Sequence, residues 1–169
     1  WSVAAGCNAV AVAEYVVTVI AALQKKGFLL QKHCRAGVVG VGRIGSKVIE
    51  KLKVLGFDVV QCDPLRAQQE KGFISTPIGE LADLDFILLH TPLTKEGPYP
   101  TYHLIGKEFL QQQKKGCILL NAGRGSVINF ADLMQYGLHL IWCLDVWENE
   151  PDIDMDVLLA TTVASPHIA

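Results

Sequence analysis

The chain has 169 residues, half of them hydrophobic and 19% charged, with a formal net charge of −2. That length supports one domain with its own core, and the apolar content is too high for a disordered segment. The near-neutral balance gives no basic surface for nucleic acid or an anionic membrane, and the most lipid-like run, 15–23, is too short to span a bilayer.

Short β-branched runs alternate with amphipathic segments, the pattern of a parallel sheet covered by helices. The expected fold class is therefore α/β, a Rossmann-type doubly wound parallel sheet. Asn8 stands as the N-cap of a first helix over 8–25, with Val12, Val16, Val19 and Leu23 on one face. Val10, Val17 and Ile20 add apolar character elsewhere, so this helix is buried either in the core or against a partner subunit. Gly27 ends it. A strand over 37–41 is followed by a helix over 43–55, with Ile44, Val48 and Leu52 in register and Gly56 as its stop. A second strand over 57–62 runs into Asp63-Pro64. Then come a short helix over 77–81, a strand over 86–90, and a long loop carrying Pro92, Gly97, Pro98 and Pro100. A helix over 107–113, a strand over 117–121, a short helix over 130–136 and strands over 139–145 and 162–164 complete the chain.

The turn between the first strand and its helix reads Gly40-Val41-Gly42-Arg43-Ile44-Gly45, a G-x-G-x-x-G in the context that gives it meaning. Gly40 permits the tight turn, Gly42 lets the backbone approach a pyrophosphate, and Gly45 lets the helix pack close to the strand. The N–H groups around Arg43 and Ile44 face the anion at the positive end of the helix. Asp63 ends the next strand, 18 positions after Gly45, where a carboxylate accepts bonds from the adenosine ribose hydroxyls and repels the 2′-phosphate of NADP. NAD is the expected cofactor, with Arg66 close enough to leave NADP open.

Cys7, Cys34, Cys62, Cys117 and Cys143 are odd in number and contain no C-x-x-C pair, which fits free thiols in a reducing, cytoplasmic compartment. The five histidines show no metal-ligand spacing, and no metal is expected.

Four polar clusters follow the later strands: His90-Thr91-Pro92-Leu93-Thr94, Asn121-Ala122-Gly123-Arg124-Gly125, Asp145-Val146-Trp147-Glu148-Asn149-Glu150-Pro151, and Ser165-Pro166-His167-Ile168-Ala169. In this order, after the glycine turn, they resemble the D-isomer-specific 2-hydroxyacid dehydrogenases over essentially the whole chain. The run from Gly6 to Val16, the loop from Thr91 to Tyr99 and Leu144-Asp145-Val146-Trp147-Glu148 are most similar to the branch of that family acting on a phosphorylated four-carbon acid.

The resemblance implies that Arg124 holds the substrate carboxylate, that His167 exchanges the hydroxyl proton, and that Glu150 orients His167. It implies that Asp145 meets the nicotinamide carboxamide and that Thr91, Pro92, Ala122 and Arg124 line the cofactor. His90 either lines the same cleft or caps its strand. Trp142 and Trp147 read as packing, and His33, His103, His139 and the Lys114-Lys115 pair as surface or core-edge residues. Two departures stand out. Ala5 replaces a proline common in relatives, and the segment 129–137 is about three residues shorter, a little under one helical turn. The second puts the Arg124-to-Glu150 geometry in question.

The chain begins at Trp1 and stops just after His167. It is expected to be the coenzyme domain of a two-domain enzyme, with the substrate-binding domain outside residues 1–169. The resemblance further implies a homodimer formed through the helix over 8–25. Competing expectations are oxidation of 3-phosphoglycerate or reduction of hydroxypyruvate or glyoxylate by the same chemistry, and, in a different class, a non-catalytic NAD-sensing corepressor module.

Overall fold

In the computed structural model of the chain, which describes residues 7–28 and 33–169, six strands form one sheet. Ala5 and Gly6 lie outside the described residues. The elements are α1 (Ala9–Lys25), β1 (Arg35–Val39), α2 (Arg43–Val54), β2 (Asp58–Cys62), α3 (Pro64–Gln69), β3 (Phe86–Leu89), α4 (Lys107–Gln111), β4 (Ile118–Asn121), α5 (Phe130–Tyr136), β5 (Ile141–Leu144), α6 (Met155–Ala160) and β6 (Val163–Ala164). The strand order is β2-β1-β3-β4-β5-β6, and every pairing is parallel.

A strand turns successive side chains to opposite faces, and the core divides accordingly. Val38, Phe86, Leu88, Ile118, Leu120 and Cys143 pack beneath α1 and α2 with Val12, Val16, Leu23, Val48 and Leu52. Val39, Ile87, Leu89, Leu119, Trp142 and Leu144 pack on the other face against Phe109, Leu110, Phe130, Leu133 and Val157 of α4, α5 and α6. Both faces are covered, which explains why the inner strands read as continuous apolar runs.

The sequence places β1 two residues too late. It spans Arg35–Val39 because Gly40, at φ +86°, already turns the chain. Asn8 occupies the N-cap position of α1, yet its side chain makes no capping bond. The stretch expected as a helix over 77–81 is a single 3₁₀ turn, Ile78–Glu80. Two helices were not foreseen. Asp63 caps α3 by accepting from Arg66 N, with Pro64 as its first residue, and Asp154 caps α6 by accepting from Asp156 N and Val157 N. The short segment 129–137 folds as α5, capped by Asn129 accepting from Asp132 N, with Phe130 and Leu133 buried.

Register aligns the strand ends. Val39 pairs with Cys62 and Leu89, Leu89 with Asn121, Asn121 with Leu144, and Leu144 with Ala164. The next residue of each strand therefore falls in one row along the carboxyl edge: Gly40, Asp63, His90, Ala122, Asp145 and Ser165. The chain leaves β1 for β2 on one side and returns to β3 on the other, so this row is split at a topological switch point, where open α/β sheets bind ligands.

Candidate active site

A cleft of about 1180 Å³ opens at that switch point, lined among others by Gly40, Val41, Gly42, Arg43, Asp63, Arg66, His90, Thr91 and Pro92. A Cβ on Gly40 would lie 2.8 Å from the backbone of His90 and Thr91, and one on Gly45 would strike the Gly40 carbonyl. Gly42 faces open space, so the cleft keeps its depth over the first turn of α2, whose N–H groups have no acceptor within the helix itself.

Asp63 stitches the floor together. Its Oδ2 accepts from Val41 N at 2.8 Å and its Oδ1 from Arg66 N at 2.9 Å. Arg66 is already engaged: Nη1 donates to Val41 O at 2.7 Å and Ser46 Oγ at 3.0 Å, Nε donates to Glu70 at 2.7 Å, and the guanidinium lies 4.5 Å over the Phe73 ring. The cation beside Asp63 is thus a strut across the glycine turn.

His90 and Thr91 are buried, and neither ring nitrogen of His90 nor Thr91 Oγ has a hydrogen-bond partner. Buried polar groups are ordinarily paired, and these line the cleft. Burial pushes the His90 imidazole down to about 4. Of the two readings open for His90, capping finds no ring hydrogen bond among the described residues, and the ring lines the cleft. A glycine cradle, a strand-end carboxylate and orphaned polar groups form a set that fits a dinucleotide.

Further along the edge, Asn121 shapes the turn bearing Arg124: its Nδ2 donates to Arg124 O and its Oδ1 accepts from Gly123 N, both at 3.0 Å. The Arg124 side chain is exposed, with Nη1 on Gly123 O at 2.7 Å. A Cβ on Gly125 would collide with the Trp147 carbonyl, so this turn sits directly on the loop carrying Glu150. Glu150 Oε1 accepts from Trp147 N at 2.7 Å, and Oε2 lies 2.8 Å from His167 Nδ1. The histidine and its acid are joined, whereas Arg124 stands beside them without a direct bond to either. Asp145 is buried, and its carboxylate accepts from Ser165 Oγ, Ile168 N and Ala169 N.

Several residues in this region had no assigned role. His103, read as surface or core edge, bonds Glu148 at 2.5 Å, and Glu148 also accepts from Phe130 N. That pair fastens the long loop to the loop of Glu150. Trp147 packs as expected and also donates from Nε1 to Ser165 O. His33 is exposed, His139 reaches Gln113 O, and Lys114 pairs with Asp85 and Asp83. Four of the five cysteines are buried, and burial pushes Cys62 up to about 11 and Cys117 and Cys143 up to about 12. Among the described residues, no His, Cys, Asp and Glu cluster could hold a metal ion, and no helix is long and apolar enough to cross a membrane.

Residues 18–169 match the family described as D-isomer specific 2-hydroxyacid dehydrogenase, NAD binding domain. The chain is 52% identical over its full length to erythronate-4-phosphate dehydrogenase of Coxiella burnetii, covering 46% of that protein. It is 40% identical to erythronate-4-phosphate dehydrogenase of Legionella pneumophila, over 98% of this chain and 47% of that one. The chain thus spans about half the length of the curated relatives it matches. Among solved structures, NAD-dependent formate dehydrogenase from Staphylococcus aureus in complex with NAD superposes with a TM-score of 0.75 at 27% identity, over 94% of this chain and 54% of that one.

Proposed function

The chain belongs to the D-isomer specific 2-hydroxyacid dehydrogenases, and from that membership we propose that it is the coenzyme domain of an enzyme oxidising 4-phospho-D-erythronate with NAD, in the biosynthesis of pyridoxal phosphate. The observation that carries the chemistry is the 2.8 Å bond between His167 and Glu150, on the sheet edge that also bears the glycine turn. The 52% identity to relatives bearing that enzyme's name supports the substrate.

Gly40, Gly42, Arg43, Ile44 and Gly45 would hold the pyrophosphate and Asp63 the adenosine ribose. His90, Thr91, Pro92, Ala122, Arg124 and Asp145 would line the remaining length of the cofactor. NAD, when bound, supplies the hydride acceptor. The commitment of Arg66 to Val41, Ser46 and Glu70 supports NAD over NADP, because this cation is already engaged rather than turned to a 2′-phosphate.

Arg124 presents its guanidinium fork to the substrate carboxylate. A carboxylate only accepts, so His167 Nδ1 carries the proton shared with Glu150, and Nε2 keeps the lone pair that removes the C2 hydroxyl proton. Glu150 then stabilises the imidazolium, which serves as the acid in the reverse direction. Residues 1–169 form the coenzyme domain, with 8–25 as its leading helix; a second domain completes the substrate site, and the protein is a cytoplasmic homodimer.

The test is a panel of 4-phosphoerythronate, 3-phosphoglycerate and glycerate with NAD on the full-length protein. Strong preference for the first is the expected result, and preference for another acid overturns the substrate assignment. Absence of turnover with any 2-hydroxy acid defeats the enzyme reading in favour of a sensing module. His167→Ala should abolish turnover and leave NADH binding nearly intact; surviving activity would remove His167 as the acid/base.

A further inference from the structure

We infer that Tyr15 is a positioning residue for His167, acting across the molecule through Ser165 and Asp145. Asp145 lies at the end of β5 and is 1% exposed. No ion pair to it occurs among the described residues, and its carboxylate is met by hydrogen bonds. Oδ1 accepts from Ser165 Oγ at 2.7 Å and Ile168 N at 2.9 Å, and Oδ2 accepts from Ala169 N at 2.9 Å. Its carbonyl accepts from His167 N at 2.7 Å. One residue thus grips the chain before, at and after His167. The grip is needed, because His167 has φ +56°, a left-handed conformation that a non-glycine side chain keeps only when its surroundings enforce it.

The grip reaches α1. Tyr15 Oη lies 2.6 Å from Ser165 Oγ, 150 positions away in sequence. Counting protons fixes the direction. The Ser165 hydroxyl has one hydrogen, and it points to Asp145, because an ionised carboxylate only accepts. The bond between the two hydroxyls must therefore be donated by Tyr15. The relay runs from Tyr15 to Ser165 to Asp145, and each bond orients the next. Burial raises the Tyr15 phenol above its ordinary value, the Ser165 hydrogen bond opposing it and the Asp145 charge adding to it. The helix beneath is a firm anchor, with Val12, Val16, Val19 and Leu23 in the core. Loss of the Tyr15 proton donor leaves the Ser165 hydroxyl without its orienting partner, and the turn bearing His167 loosens where Nε2 must meet the substrate.

This inference rests on the reading of His167 as the acid/base, and the test separates the two in the full-length enzyme. In Tyr15→Phe and in Ser165→Ala, kcat should fall about tenfold while the NADH dissociation constant and thermal midpoint stay near wild type. The primary isotope effect with 4-deuterated NADH should rise as hydride transfer becomes rate-limiting. The double variant should be no slower than either single one, since both cut the same relay, and Ser165→Thr, which keeps the hydroxyl, should restore kcat. If Ser165→Ala does not fold, Tyr15→Phe carries the test alone. Wild-type kcat and isotope effect in Tyr15→Phe overturn the inference, as does a loss matched by a lowered thermal midpoint. With His167→Ala inactive, such a result sinks only the role of Tyr15. Turnover retained in His167→Ala overturns both readings.

Discussion

Asp63 carries two loads at once, and its substitutions separate them. Its oxygens hold Val41 N and the first turn of α3, and its charge faces the part of the cleft assigned to the ribose. Asp63→Ala removes a helix cap, at a cost of about 1 kcal/mol, along with the charge. Asp63→Asn keeps an oxygen for the cap but removes the charge and one of the two accepted bonds, since its amide nitrogen cannot accept from Val41 N. Both should narrow the preference for NADH over NADPH by about tenfold, the worth of one charge-assisted hydrogen bond. Titration of both cofactors checks this, and equal affinities in the wild type would remove the ribose argument. His90 gives a stability prediction. Burial lowers its folded-state pKa from 6.5 to about 4, so between those values the unfolded chain binds more protons and stability rises with pH. Stability should fall as pH drops from about 6.5 to about 4, by at most about 3 kcal/mol. Urea midpoints across that window should show the slope in the wild type and not in His90→Gln; parallel profiles would assign it to other groups. The sequence left two roles open for this histidine because local pattern does not reveal which partners a side chain lacks.

At the scale of elements, legibility followed length and burial. The long helices α1 and α2 announce themselves by apolar periodicity, whereas α3 and α6 have six residues each and bury none and one respectively. Such short helices are below the window in which periodicity can speak. Their only traces were the caps, Asp63 followed by Pro64, and Asp154. The short segment 129–137 kept its helix because Asn129 caps it and Phe130 and Leu133 hold it to the core. Asn129→Ala should therefore cost about 1 kcal/mol, read as a lowered urea midpoint. Gly125 has a different role, since its missing Cβ lets the Arg124 turn rest on Trp147. Gly125→Ala must push that turn away from the loop of Glu150. The expected outcome is a kcat lowered at least a hundredfold with NADH affinity held within a few-fold, because a misplacement of about 1 Å is enough for such a loss. Unchanged turnover would show that Arg124 need not sit there.

For the molecule as a whole, the motif order was visible in the sequence, but the register that sets six strand ends in one row was not. The contacts joining distant segments, Gly125 to Trp147 and Tyr15 to Ser165, were equally invisible, since each depends on how whole layers stack. The same holds for the outer face of α1. The sequence left that helix buried either in the core or against a partner, and the structure divides it. Val12, Val16, Val19 and Leu23 face inward, while Val10, at 54% exposure, and the stripe of Ala11, Glu14, Thr18 and Ala21 face outward. The small side chains of Ala11, Thr18 and Ala21 in that stripe let a second helix approach to the usual separation of about 8–10 Å, the contact expected of the proposed homodimer. In a two-fold interface each position appears twice, so one bulky charge at the centre of the stripe doubles its effect. Thr18 is that centre, exposed, with its hydroxyl donating to Glu14 O of its own helix. Thr18→Arg should convert the full-length dimer to a monomer in light scattering. Its thermal midpoint should change only through the lost interface, because arginine is the better helix former at an exposed site. A wild-type protein that scatters as a monomer, or a Thr18→Arg variant that remains a dimer, would move the interface away from α1.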